Sequence, residues 1–195
     1  MATKRVALFF GSFNPVHVGH MVIATWAVEY GNVDALWFVP SPQNPLKERS
    51  GLLPFHHRIQ MLRLAVADDR RFRVSDIESR LSVPSYTAET LAHLHEKYPD
   101  TEFALVMGGD NLVTFHKWKN HNYIIDRHRI IVYSRPGQGP TAFDGHANVQ
   151  FIDAPQMAIS STAIREMVAD NRDVRHLMPP AAWSYLDEMN LFRRQ

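Results

Sequence analysis

Residues 6–10, VALFF, form a continuous apolar run that stops at Gly11. A run this short, with no polar alternation, suits a strand covered on both faces, as in a parallel sheet. After a loop containing Pro15, Met21, Ala24, Ala27 and Val28 recur on one helical face, and Gly31 reads as the helix stop. Residues 35–39 are a second apolar run, ended by Pro40. Strand, helix and strand within forty residues make a βαβ unit, and a right-handed crossover sets the two strands parallel. The alternation continues to the end of the chain. A helix is expected from Pro54, with Ile59, Leu62 and Val66 on one face. A strand is expected over 72–75, a helix over 86–98 and a strand over 102–107. Helical turns are expected within 110–118 and 123–127, strands over 129–134 and 149–152, and helices over 161–169 and 180–189. This pattern predicts an α/β fold with a mostly parallel sheet and flanking helices.

The chain has 195 residues, which fits one domain spanning 1–195. The Pro-, Asn- and Ser-containing stretch 41–54 and the Gly/Pro-rich stretch 135–148 read as loops. With 21 basic and 20 acidic residues the net charge is +1, so no basic excess marks a nucleic-acid partner. There is no cysteine, which excludes disulfides and thiolate metal sites and fits a reducing, cytoplasmic setting. The apolar run at 6–10 is too short for a signal-peptide core, and no stretch approaches the ~20 apolar residues that span a bilayer. Of the eleven histidines, several stand in polar context (His93, His95, His121, His128 and His146), and most read as surface residues.

Residues 11–20, GSFNPVHVGH, lie between the first strand and the first helix. In open α/β sheets ligands sit at the carboxyl ends of strands, near helix N-termini whose N–H groups face an anion. Gly11 lets backbone approach a ligand closely. His17 and His20, three apart, share a face if both lie on the first turn and then aim two N–H donors at one phosphate. Two other readings stand beside this one: a pair of surface histidines, and half of a metal site lacking its remaining ligands. A Walker A loop and a GxGxxG turn are both absent.

Near the other end stands ISSTAIR, residues 159–165. Ser160, Ser161 and Thr162 precede an amphipathic helix, so they read first as an N-cap, with Glu166 available to complete the cap. The same hydroxyls and N–H groups suit an anion, and Arg165 adds a cation fitted to phosphate.

Together these segments resemble the two signatures of the nucleotidyltransferase superfamily, roughly G-[ST]-F-[DN]-P-x-H-x-G-H and ISSTxIR. The second stands about 140 residues after the first. The resemblance implies a Rossmann-like, doubly wound fold that binds ATP or CTP. It implies that His17, His20 and Arg165 contact the nucleotide phosphates, and that Gly11, Ser12, Phe13, Gly19, Ile159, Ser160 and Ser161 line the ATP site.

Three middle segments bear on the acceptor: SYTAETL (85–91), GGDNLVTFHKW (108–118) and SRPG (134–137). They resemble the bacterial nicotinate-nucleotide adenylyltransferases across almost the whole chain. A flat, electron-poor ring suits an aromatic face, for which Trp118 is the candidate, unless it is a core residue. Ser85, Tyr86 and Thr87 offer donors to a ring carboxylate, or simply cap the next helix. Asp110, after Gly108 and Gly109, either meets ribose hydroxyls in the ATP site beside Gly108 or caps its own helix. Arg135 faces a phosphate or sits in an exposed loop. The loop SPQNPLK (41–47) departs from the PPH followed by a basic residue found in many members, but keeps Lys47 as a phosphate contact.

The implied reaction joins nicotinate mononucleotide to the AMP moiety of ATP. It gives nicotinate adenine dinucleotide and pyrophosphate, a step of NAD biosynthesis. Mg²⁺ is expected on the ATP phosphates rather than in a protein cage. The alternatives are another member such as a pantetheine-phosphate adenylyltransferase or a cytidylyltransferase, and a non-catalytic nucleotide binder. Preference for nicotinate over nicotinamide rests on the resemblance alone.

Overall fold

The computed structural model describes residues 3–42, 51–81, 85–134, 139 and 141–194. The apolar runs form parallel strands: β1 (Lys4–Gly11), β2 (Ala35–Pro40), β3 (Phe72–Val74), β4 (Thr101–Gly108), β5 (Ile130–Tyr133) and β6 (Val149–Ile152). They lie in one sheet in the order β3-β2-β1-β4-β5-β6, and every neighbouring pair is parallel. The helices between and after them are α1 (Val18–Tyr30), α2 (Phe55–Ala65), α3 (Thr87–Lys97), α4 (Gly109–Thr114), α5 (His121–Arg127), α6 (Ser161–Ala169) and α7 (Pro180–Glu188). The expected α/β class is found, and the sheet is wholly parallel among the described residues.

Because side chains alternate across a strand, β1 and β4 feed two cores. Ala7, Phe9, Ala104 and Val106 meet Ala24 and Ala27 of α1, Met61 and Leu62 of α2, Ile164 of α6 and Leu186 of α7. Val6, Leu8, Phe103 and Leu105 meet Leu91 and Leu94 of α3, Leu112 of α4, and Ile124 and Ile125 of α5. The sheet is thus doubly wound. That coverage explains why its inner strands β1 and β2 carry unbroken apolar runs. On the first face α2 and α7 touch, and Tyr185 Oη and His57 Nδ1 are 2.9 Å apart.

Two expectations change at this level. Gly31 does end α1, but its φ is −86°, so no left-handed turn demands glycine there. A Cβ would stand 2.7 Å from Ile131 Cδ1 and 2.3 Å from the Ala27 carbonyl oxygen, so the requirement is for space. His128 is buried, not on the surface, with Nδ1 3.0 Å from the Phe103 carbonyl oxygen.

The order of the strands places the ligand crevice. From β1 the chain turns to one side through β2 and β3, and β4 occupies the other side. The carboxyl ends of β1 and β4 therefore flank the crevice where such sheets bind ligands. Gly11 and Gly108 are the last residues of those two strands.

Candidate active site

Gly11 closes β1 against the end of β2, where the Ser41 N–H donates to the Gly11 carbonyl at 3.0 Å. A Cβ at Gly11 would lie 2.9 Å from the Phe13 ring. Phe13 itself is buried and has φ +46°, a left-handed conformation that costs a side-chain-bearing residue about 1–3 kcal/mol. Its ring meets Phe9, Phe38 and His20 at centroid distances of 5.6, 5.5 and 5.0 Å. So the Phe13 side chain is a core support beneath the loop, and only its backbone can face a nucleotide.

The two histidines do come together at the first turn of α1, as cap and third residue, with their rings on one side. His17 is the N-cap of α1, and His20 is its third residue. The His20 Nδ1 accepts the His17 backbone N–H at 3.2 Å, and the two rings stack with centroids 3.7 Å apart. In the neutral ring an accepting Nδ1 leaves the proton on Nε2, so His20 carries an Nε2–H donor. His17 is buried, and its Nδ1 has no partner among the described residues. A Cβ at Gly19 would stand 3.0 Å from that Nδ1, so the glycine makes room for the His17 ring.

Burial pushes His17 down to about 4. An unfolded histidine titrates near 6.5, so below that pH the unfolded chain binds a proton that the folded chain refuses. Stability from this residue is complete above about pH 6.5 and declines as the pH falls toward 4. The loss should reach about 2 kcal/mol at pH 5. Urea unfolding at pH 7 and pH 5 should show the wild type losing that much more than His17→Asn; equal losses would contradict a buried neutral His17.

The second signature docks onto the first. Ser160 caps α6, its Oγ accepting the Ala163 N–H at 3.1 Å. Glu166 lies a turn too far along to complete a capping box. Ser161 Oγ donates to the Pro15 carbonyl at 2.9 Å, and Arg165 Nη1 donates to the Asn14 carbonyl at 2.9 Å. Arg165 Nη2 also reaches Thr162 Oγ1 at 3.3 Å. Segments almost 150 residues apart in sequence thereby share one surface, and Ile159 packs behind them on the first core.

Two residues that sequence reasoning passed over hold this surface together. Arg58 is buried and donates to four carbonyls: Ser12 and Ser41 at 2.8 Å, Pro42 and Leu53 at 3.1 Å. Burial lowers it to about 10, so it remains a cation at neutral pH. Its signal was spacing: Arg58 and Leu62 are four apart on α2, which puts the arginine on the inward face. The second is Asn14, whose Nδ2 donates to the Gly51 carbonyl at 2.8 Å while its Oδ1 accepts the Leu53 N–H at 3.1 Å.

The acceptor-side candidates come together at the start of α3. Tyr86 is its N-cap, and no side chain caps the helix. The Ser85 hydroxyl donates to Glu78 Oε2 at 2.9 Å, so its proton is committed away from a ligand. Lys119 Nζ lies 4.4 Å from the Tyr86 ring centroid and 2.7 Å from Glu89 Oε1, which joins the segment carrying Trp118 to α3. Trp118 is half-buried, 5.4 Å from the Phe115 ring at the margin of the second core, so it is not a sealed core residue. Asp110 is exposed on the first turn of α4; Gly108, not Asp110, is the N-cap. Lys47 and Arg135 lie outside the described residues.

A family model described as cytidylyltransferase-like matches residues 8–167, from β1 through the second signature. The "probable nicotinate-nucleotide adenylyltransferase" of Flavobacterium johnsoniae is 44% identical over 192 residues, which covers 97% of this chain and 100% of that protein. The protein of the same name in Christiangramia forsetii is 43% identical over 192 residues, covering 97% and 99%. This chain belongs to the nicotinate-nucleotide adenylyltransferase family. The fold agrees. Plasmodium falciparum nicotinic acid mononucleotide adenylyltransferase complexed with NaAD has a TM-score of 0.79 at 20% identity, covering 97% of each chain.

Family membership bears on metal chemistry at this surface. Among the described residues no group of three His, Cys, Asp or Glu side chains could hold a metal ion. The signature side chains, His17, His20 and Arg165, are nitrogen donors suited to phosphate oxygens, not oxygen ligands for a hard cation. No helix among the described residues is long and apolar enough to cross a membrane.

Proposed function

We propose that this chain is an enzyme, a nicotinate-nucleotide adenylyltransferase acting in the cytoplasm on ATP and nicotinate mononucleotide in NAD biosynthesis. The observation that carries this reading is the docking of Ser161 and Arg165 onto the Pro15 and Asn14 carbonyls, which joins both nucleotidyltransferase signatures at the end of β1.

A phosphate oxygen of nicotinate mononucleotide attacks the α-phosphorus of ATP in line. The new O–P bond forms as the bond to the β-phosphate bridging oxygen breaks, and pyrophosphate leaves. The attacking phosphate is already anionic at neutral pH, so the protein has to position reactants and stabilise charge rather than supply a strong base. His17, His20, Lys47 and Arg165 take the ATP phosphates. Gly11, Ser12, Phe13 and Gly19 bring backbone to the nucleotide from one side. Ile159, Ser160 and Ser161 do so from the other, and Gly108 at the end of β4 and Asp110 on the first turn of α4 border it. On the acceptor side, Trp118 stacks on the nicotinate ring. Tyr86 and Thr87 meet its carboxylate through the uncapped start of α3, Ser85 orders that loop, and Arg135 takes the acceptor phosphate. Mg²⁺, when bound, would be held by the triphosphate oxygens and water rather than by these side chains, and would supply charge neutralisation there.

The test is direct. Purified protein is incubated with ATP, Mg²⁺ and either nicotinate or nicotinamide mononucleotide, and products are separated by chromatography. Dinucleotide and pyrophosphate should form, faster with the acid. Absence of dinucleotide with both acceptors would sink the reading in favour of a nucleotide binder, and faster reaction with the amide would overturn the stated substrate.

A further inference from the structure

Glu78, on a short 3₁₀ turn (Ile77–Arg80), is a buried carboxylate at 2% exposure, and no cation pairs with it among the described residues. A buried carboxylate without a cation is costly unless hydrogen bonds replace its water. Here hydroxyls do so. Ser85 Oγ donates to Oε2 at 2.9 Å and Thr90 Oγ1 donates to Oε1 at 3.0 Å. The Ser41 side chain joins them, and burial still raises the carboxyl above its ordinary range. The three partners come from three places: the end of β2, the loop before α3, and α3 itself. Ser41 also donates its N–H to the Gly11 carbonyl. A continuous path therefore runs from Gly11 in the phosphate loop, through Ser41 and Glu78, to Ser85 and Thr90 on the acceptor side.

A glutamate is not needed to fill this space, since an apolar side chain would cost less to bury. What the carboxylate does is fix the direction of the hydroxyl protons. Ser85 stands just before the N-cap of α3, where a serine can otherwise turn to the helix backbone. Bound to Glu78, its hydroxyl does not cap α3, which has no side-chain cap.

We propose that Glu78 is a positioning residue for the acceptor: it sets the loop of Ser85, Tyr86 and Thr87 at a fixed place against the phosphate loop. The inference rests on the function proposed above. Glu78 touches neither substrate; it acts through Ser85 and Thr90.

Glu78→Gln keeps the shape and one acceptor oxygen but loses the second acceptor. The KM for nicotinate mononucleotide should rise about fivefold to twentyfold, while kcat and the KM for ATP stay within twofold. A merely structural role would instead lower kcat through a reduced folded fraction and leave both KM values alone. Ser85→Ala removes the far end of the tie, with little risk to folding, and should raise the same KM. The double variant should be no worse than Glu78→Gln alone. If Glu78→Gln does not fold, Ser85→Ala decides by the same KM comparison. An unmoved acceptor KM, or an equal rise in both KM values, overturns the inference while the proposed function stands. A wild type that forms no dinucleotide from nicotinate mononucleotide overturns both.

Discussion

Replacing His20 with alanine should lower kcat by about 10²–10³-fold, the usual cost of deleting one donor that stabilises charge in a transition state. The geometry makes His20 the sharpest single test of the phosphate site. Its Nδ1 is used by the His17 N–H, which fixes the tautomer, and Phe13 packs against the ring edge and sets its tilt. The Nε2–H is therefore a donor of fixed tautomer on a ring held in place by its neighbours. Alanine also removes the acceptor for the His17 N–H, which should cost about 1 kcal/mol of stability as a lost cap. His20→Asn separates the two effects, since a short amide oxygen at the third helical position can still take that N–H. Single-turnover measurement of dinucleotide formation, with urea unfolding alongside, is the check. Turnover by His20→Ala within fivefold of wild type would remove His20 from the chemistry.

The second large effect is expected in stability and arises from Arg58. Arg58→Met should destabilise the fold by about 3–5 kcal/mol, because the part-buried carbonyls of Ser12, Ser41, Pro42 and Leu53 lose their shared donor. Arg58→Lys should recover only part of that. An ammonium has three donors on a flexible stem and cannot serve four carbonyls in the guanidinium's geometry. The segments that Arg58 joins are the phosphate loop and both stems of the stretch carrying Lys47. Where Arg58→Lys folds, its KM for ATP should rise at least fivefold. Urea unfolding and steady-state kinetics measure the two consequences. A Met variant less than 1 kcal/mol below wild type would show that water or rearranged backbone satisfies the four carbonyls.

The inner strands were legible in the sequence because both faces of the sheet are covered there. Residues 6–10 and 35–39 had to be apolar throughout, and their shortness and end signals did the rest. Helix boundaries were mostly close: α6 begins at Ser161 and ends at Ala169, as its cap and apolar stripe predict. Less was legible where a residue's role depends on a distant partner. Nothing local says that Glu78 takes the Ser85 and Thr90 hydroxyls, since it stands in a short polar stretch with no period. Asp110 comes after two glycines and looks like a cap, yet the helix starts one residue earlier and leaves it on the first turn. Phe13 lies within a binding signature, but its side chain belongs to the core.

The opening βαβ pattern and the two signatures were thus determined by sequence, because burial on both faces and anion binding at a helix start each impose local residue types. Tertiary structure decided how those pieces meet. The 3-2-1-4-5-6 order brings β1 beside β4, and Ser161 and Arg165 close on Asn14 and Pro15 across almost 150 residues. It also decided the state of the histidines: spacing could place His17 and His20 near each other, but only the packing around His17 strips its water and keeps it neutral. Pairing, desolvation and tautomer depend on atoms contributed by the whole fold, and no local pattern carries them.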